Sequence, residues 1–530
     1  MLQDAQIRKA VAAIPQRSER QLDSDKLQAS FVDVGFVPQL ENINNQIAFG
    51  RRGTGKTHVL KVLESSIRRD PNAVALYIDA RSLGSSAQFL DSSLPMQQRC
   101  TSLFRDFLAE INNAVLQYVV ENESEHTAYL LEQLSDFASA ATKPTAIETA
   151  ATLTAREKSS QSDAASLTLE VAAAPKAGAA MSSGSTRELE TTRSGSISLE
   201  DKIIFPDVTS SLSAILSKGE LRLWILLDEW SSLPRDIQPY LAELIKRTLL
   251  PNSRICIKIA ALEYRSNFGI RRERGQFTGF ELGGDLSASL DLDDYYVYDR
   301  NPGQLTEAFE ELLYLHLKTE IPGDYLVSTL GISTARDLTR SLFTDREVFQ
   351  ELVRASEGIA RDLINIFTVA YFSALKQART KIDKRTVLEA ARQWYEQDKQ
   401  QGLSEELHNI LSRIMGEVIG KKRTRSFMVE RRLERNEHLQ GLFDARVIHL
   451  VRRGYADKEN PGVRYNIYTL DYGTYVDLLA TKSAPVGFVD SESEAPETEL
   501  VVPFDDNRSI RRVILGDEVL EISKQGELPL

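Results

Sequence analysis

Residues 47–63 read IAFGRRGTGKTHVLKVL, a short apolar run entering a glycine turn that leads through a lysine and a threonine into a helical pattern. Gly50, Arg51, Arg52, Gly53, Thr54, Gly55, Lys56 and Thr57 satisfy the spacing G-x-x-x-x-G-K-S/T. Glycines at these places let backbone N–H groups turn inward around a phosphate, and the following helix aims its positive end at the same anion. Lys56 is expected to bridge the β- and γ-phosphates of ATP and Thr57 to hold Mg²⁺, with His58 bordering the same nucleotide site.

Such a turn needs a buried strand ending in an acid, and LRLWILLDEW at 221–230 supplies one. Asp228 is expected to coordinate Mg²⁺ through water and Glu229 to polarise the attacking water. The runs AVALYIDAR (73–81) and RICIKIAALEY (254–264) are continuously apolar, as central parallel strands are when both faces are covered, and DDYYVYD (293–299) is a further strand candidate. Strands interleaved with helices such as 100–122 predict an α/β fold built on a parallel P-loop sheet.

A chain of 530 residues with 42% hydrophobic and 26% charged content is that of a globular protein of several domains. The strongest apolar run, LWILL at 223–227, is far too short to span a bilayer, so no membrane association and a cytoplasmic location are expected. Two cysteines, Cys100 and Cys256, and six scattered histidines offer no disulfide framework or zinc spacing. A net charge of −12 argues against a uniformly basic surface.

Residues 1–30 read as an exposed helix or loose arm, and the P-loop domain as 31–302. A low-complexity insertion at 136–200 interrupts that domain, with one strand candidate at 166–173. A helical lid is expected over 303–400. The unit 404–480 shows helices around SEELHNILSRIMGEVI, SFMVERRLER and HLQGLFDARVIHLVRR, then a hairpin turning at Asn460, Pro461 and Gly462, the outline of a winged helix. An acidic tail, 484–530, holds a candidate hairpin at 511–522 turning at Gly516 and Asp517.

The turn GRRGTGKT, the acid pair in LLDEW, the strand KIAALEY, the segment ASEGIARDLINIF and the terminal winged helix follow one another as in AAA+ ATPases, and the layout resembles the origin-recognition initiator clade. The resemblance implies a lid arginine that touches the γ-phosphate, matched here by Arg361 in Gly358-Ile359-Ala360-Arg361. It also implies a polar residue, usually Asn, ending the strand after the acid pair. Glu263 stands nearest that place, to be tolerated if it faces water or pairs with Arg265, and Asn267 is a substitute only if the strand end is bulged. An arginine finger acting across an ATP-dependent homo-oligomer would come from Arg265, Arg271, Arg272 or Arg274. The stretch 421–453 carries ten basic residues against four acids, an excess suited to duplex DNA contact. The reading is therefore an ATP-binding and ATP-hydrolysing switch acting on nucleic acid. The alternatives are a signal-transduction ATPase of anti-phage defence, oligomerising with an effector protein partner, or a nucleotide-bound scaffold with little turnover.

Overall fold

The computed structural model describes residues 1–148, 197–480 and 513–521, apart from 16, 18–20, 22, 85–86, 143, 202, 272–274, 297–301, 423 and 457–461. In chain order the strands of the first half are β1 (Gln46–Phe49), β2 (Ala73–Asp79), β3 (Pro144–Glu148), β4 (Ile197–Asp201), β5 (Arg222–Asp228), β6 (Ile255–Ala261), β7 (Gly269–Arg271), β8 (Phe277–Gly279) and β9 (Ser287–Asp291). Five of them form a parallel sheet in the order β2-β5-β6-β1-β9, whereas β3/β4 and β7/β8 are separate antiparallel pairs.

The two-residue period of a strand sorts the apolar runs onto two faces. Ile47, Leu76, Ile225 and Ile257 pack one way, against Met96–Glu121, Phe205–Lys218 and Gln238–Thr248. Ala48, Ala75, Trp224 and Cys256 pack the other way, against Val59, Leu60 and Leu63 of the P-loop helix, Lys56–Ile67. Both faces are covered, which is why these strands read as unbroken apolar runs.

Helices follow, among them Pro302–Glu320, Ala335–Leu342, Arg346–Ala355, Ala360–Lys376 and Lys384–Trp394. Their starts are locally encoded: Thr334 and Asp337 close a reciprocal capping box, and Asp345 and Asp383 each cap their helix. The winged-helix unit runs Glu405–Met415, β10 (Ser426–Glu430), Glu437–Asp444, β11 (Ile448–Ala456) and β12 (Arg464–Leu470). A strand from the tail, β13 (Ile514–Leu515), completes the sheet β11-β12-β10-β13. None of the described helices is long and apolar enough to cross a membrane.

Several expectations are corrected. The arm is no loose segment: Ala5–Ala13, capped by Asp4, buries Ile7, Ala10 and Val11 in the helical core, and the Tyr371 hydroxyl donates to the Leu2 carbonyl at 2.6 Å. Its charges occupy one face only, and the apolar stripe behind them decides. The fifth strand is β9, and of the strand expected at 293–299 only 293–296 lies among the described residues. Asp293–Tyr296 is a helical turn, begun where the Asp291 carboxylate accepts the Asp293 N–H at 2.9 Å.

SFMVE is a strand, because Phe427 and Val429 face one core and Met428 another. The helix read through 438–453 stops at Asp444, where Arg446 takes a φ of 62° and Val447 and Ile448 turn into β11. Among the described residues where the hairpin is expected, β13 pairs parallel with β10, and Asp517–Leu520 winds into a helical turn. Residues 149–196 and most of the tail, with the candidate strand 166–173 and the turn residues Asn460 and Pro461, lie outside the described residues.

Candidate nucleotide site

β1 delivers the chain into the turn, where Gly53 and Gly55 adopt φ of 87° and 102°, conformations that a side chain would strain. Lys56 opens the P-loop helix, and its Nζ donates to the carbonyls of Gly50 (2.8 Å) and Arg51 (2.9 Å). Burial lowers its pKa, opposed by Asp228. The Thr54 hydroxyl donates to the Arg51 carbonyl at 2.9 Å and closes the turn.

At the second residue of the helix, Thr57 Oγ1 donates to Asp228 Oδ2 at 2.6 Å, at the end of β5. Tyr77 on β2 donates to the same oxygen at 2.9 Å, and the Glu229 N–H donates to Asp228 Oδ1 at 2.8 Å. Tyr77 went unnoticed in the sequence. Its only signal is the β2/β5 register that sets Asp79 beside Asp228. Asp228 is fully buried and its pKa is raised, chiefly by burial. Two hard oxygen donors this close, one a carboxylate that burial makes reluctant to ionise, fit a divalent cation such as Mg²⁺. Glu229 sits in the left-handed region at φ 54°, its carboxylate accepting from Ser232 Oγ at 3.2 Å.

The lid touches the turn through backbone. The Arg361 N–H, in the first turn of Ala360–Lys376, donates to the Gly53 carbonyl at 3.1 Å. Gly358 before it holds φ 75°, and a β-carbon there would run into the Tyr296 carbonyl. Between lid and turn lies a cavity of about 310 Å³, bordered by Arg52, Lys56, Thr57, Glu229, His316 and Arg361. His58 also borders it, its Nε2–H donating to the Leu27 carbonyl at 2.7 Å.

His316 faces the His58 ring at 6.4 Å, and burial lowers its pKa to about 3. The unfolded chain takes up this proton below its ordinary 6.5, so the stability it contributes is complete above that pH and lost as pH falls towards 3. Denaturant titrations at pH 7.5 and pH 5 should show the wild type losing about 2 kcal/mol relative to His316→Phe. Equal losses would show that His316 does not carry the shift.

Glu263 does not face this cavity. It pairs with Arg453 of β11, with Oε1 3.0 Å from Nη1, and burial raises its pKa. Arg265, the partner expected for it, instead binds Asp444 at 2.5 Å, and the Asn267 N–H is held by Gln238. Of the other finger candidates, Arg271 is exposed on β7, while Arg272 and Arg274 lie outside the described residues.

The Arg51 side chain, 4% exposed, turns away from the cavity into a buried network. Its Nε donates to Asp293 at 3.0 Å, Nη2 to the Glu357 carbonyl at 3.1 Å, and Nη1 to His449 Nδ1. An arginine only donates, so Nδ1 accepts and the neutral ring gives its Nε2–H to Asp471 at 2.8 Å. Burial lowers the His449 pKa to about 3. Asp471 also binds Lys399 at 2.5 Å, Lys399 lies 3.1 Å from Asp362, and Asp362 binds Arg446. Burial would raise both carboxyls, but Lys399 with His449 holds Asp471, and Arg446 with Lys399 holds Asp362, below the ordinary range. Glu357, His449 and Asp471 bring their ligand atoms within 4.8 Å of one another, yet Arg425, Arg51 and Lys399 already bond them, which makes this an ion-pair network rather than a metal centre.

Ion pairs engage much of the basic stretch, some in this network and some at the surface. Arg425 and Arg446 are buried in ion pairs, and Arg453 is engaged by Glu263 and Glu434. Lys421, Arg431 and Arg432 pair with Glu417, Glu434 and Glu430, and Arg423 lies outside the described residues. The helix Glu437–Asp444 carries two acids and no lysine or arginine, and its Phe443 packs edge-on against Tyr264, just beyond β6.

With this geometry in place, residues 17–268 match the ORC-CDC6-like family. The chain carries an ORC-CDC6-like AAA+ module. No curated protein sequence matches the chain. Among solved structures, Cdc6p of Pyrobaculum aerophilum is 11% identical, with 91% of this chain and 98% of that chain covered, at a TM-score of 0.32. The Aeropyrum pernix ORC1 protein in complex with DNA is 11% identical, with 89% and 95% covered, at 0.33. Drosophila ORC bound to DNA is 12% identical, with 89% and 90% covered, at 0.29. Scores this low do not superpose the whole chain, so the assignment rests on the ORC-CDC6-like match together with the P-loop, the acid pair and the parallel sheet.

Proposed function

We propose that this chain is an ATP-binding and ATP-hydrolysing switch whose output is the position of its winged helix. In this reading Gly50 to Thr57 cradle the phosphates, Thr57 and Asp228 hold Mg²⁺, Glu229 activates water and Arg361 reads the γ-phosphate. A bound magnesium ion would supply charge neutralisation at the phosphates. The carrying observation is Arg51: a residue of the phosphate turn is bonded at once to the Glu357 carbonyl before the lid helix and to His449 of the winged-helix unit. A triphosphate that reshapes the turn must therefore disturb both contacts, a two-state arrangement of the kind a switch needs.

Hydrogen exchange tests this. A slowly hydrolysed ATP analogue with Mg²⁺ should speed exchange of the Ile448–Ala456 amides by about tenfold, and Arg51→Ala should do so without nucleotide. Unchanged exchange in the wild type would sink the coupling.

For the target, duplex DNA is the first reading, through Lys422, Arg435 and Arg452, which are exposed. A protein-facing output is the second, favoured by the acidic, partly covered helix Glu437–Asp444. ATP turnover that duplex DNA stimulates at low salt, with the effect fading as salt rises, selects the first. Turnover indifferent to DNA selects the second.

A further inference from the structure

Residues 513–521 come back to the winged-helix unit from beyond Ala480 and seat against its core. β13 is two residues long and pairs parallel with the edge of β10, Met428 beside Ile514 and Val429 beside Leu515, with the Met428 N–H donating to the Val513 carbonyl at 2.8 Å. Pairing this short is too weak to hold by itself. What anchors the segment is apolar burial: Val513, Leu515 and Leu520 are 4%, 3% and 0% exposed. Cations and donors of the winged-helix unit rim it. Arg432 Nη2 reaches Asp517 at 2.8 Å, Arg413 Nη1 donates to the Glu518 carbonyl at 3.4 Å, and His438 Nδ1–H donates to the Leu520 carbonyl at 2.9 Å. Without the segment, β10 would present an open strand edge beside an apolar groove, the surface on which one chain adds a strand to another.

We propose that this groove is a docking site whose occupant exchanges between copies of the chain, residues 513–521 of one molecule seating on β10 of a second. Every copy carries both halves of the contact, acidic segment and basic-rimmed groove, so an identical sequence meets an identical surface, the condition for swapping an element at little energetic loss. About 30 residues separate Ala480 from Val513. Fully extended, a chain of that length reaches roughly 100 Å, further than one domain diameter. The cis arrangement wins in dilute solution because the tether keeps the local concentration high. Neighbouring copies compete once assembly brings them within reach. The inference is independent of the nucleotide switch.

The test uses full-length chains. Arg432 and Asp517 are both exposed, so Arg432→Cys in one preparation and Asp517→Cys in another leave the core untouched, and the native Cys100 and Cys256 are buried. After mixing at high concentration and bridging with a short bis-maleimide, covalent dimer should exceed that from either preparation alone by about fivefold. A synthetic peptide of residues 511–522 should suppress it, whereas the same peptide with Leu520→Asp should not. No excess dimer in the mixture, or dimer indifferent to the peptide, overturns the proposal.

Discussion

Glu229→Gln should lower ATP turnover by about a hundredfold to a thousandfold while nucleotide affinity stays within a factor of about two. The substitution is nearly isosteric. The glutamine oxygen can still accept from Ser232 Oγ, so the left-handed backbone at φ 54° and the cavity wall should survive. What disappears is the carboxylate that would orient and deprotonate water beside Lys56, Thr57 and Arg361. The two acids of LLDEW are separated by this comparison, because Asp228 is fully buried and bonded to Thr57, whereas Glu229 borders the cavity. Phosphate release and titration with a fluorescent ATP analogue measure the two quantities. Turnover equal to wild type would remove Glu229 from the chemistry.

Asp471→Asn should destabilise the winged-helix side of the molecule by about 3–5 kcal/mol, the loss typical of removing one partner from a buried ion pair. Asp471 is wholly buried and accepts from Lys399, His449 and the Gly473 N–H. An amide in its place leaves Lys399, only 2% exposed, with Asp362 as its one carboxylate, which Arg446 already engages. The amide keeps one acceptor oxygen, so if it still serves His449 and Lys399 its NH2 faces the Gly473 N–H, and one of these contacts is lost either way. Urea unfolding followed at Trp394, on the helix leading to Lys399, reads the loss. A change under about 1 kcal/mol would mean that the network does not hold these elements together.

The nucleotide side was legible because its signals are local. The glycine spacing, the helix that begins at Lys56 and the buried strand ending at Asp228 are each written within about ten residues, and phosphate-binding backbone geometry depends on short-range φ values that only glycine reaches easily. The four P-loop-side strands were readable for the same reason. Errors gathered where a short apolar run had no length to distinguish strand from helix, as in SFMVE, or where one local bond decided, as Asp291 does before Asp293. Charge patterns were the least informative. The alternating charges of residues 1–30 suggested an exposed helix or loose arm, and the basic run 421–453 includes cations that the fold pairs internally. A charge pattern says how many cations there are, not which acids fold back to meet them.

By itself, then, the sequence determined a glycine turn between strand and helix, a buried strand ending in an acid and an α/β core with helices behind it, since backbone conformation and alternation of burial are set by neighbours along the chain. Only the tertiary structure decided that Arg51 turns away from the cavity to bind His449, that Glu263 pairs with Arg453, and that Arg425 and Arg446 are buried ion-pair partners. These contacts join residues separated by 68 to 398 positions. Their energy comes from desolvation and charge pairing between elements that the sequence places far apart, and nothing in local spacing records it.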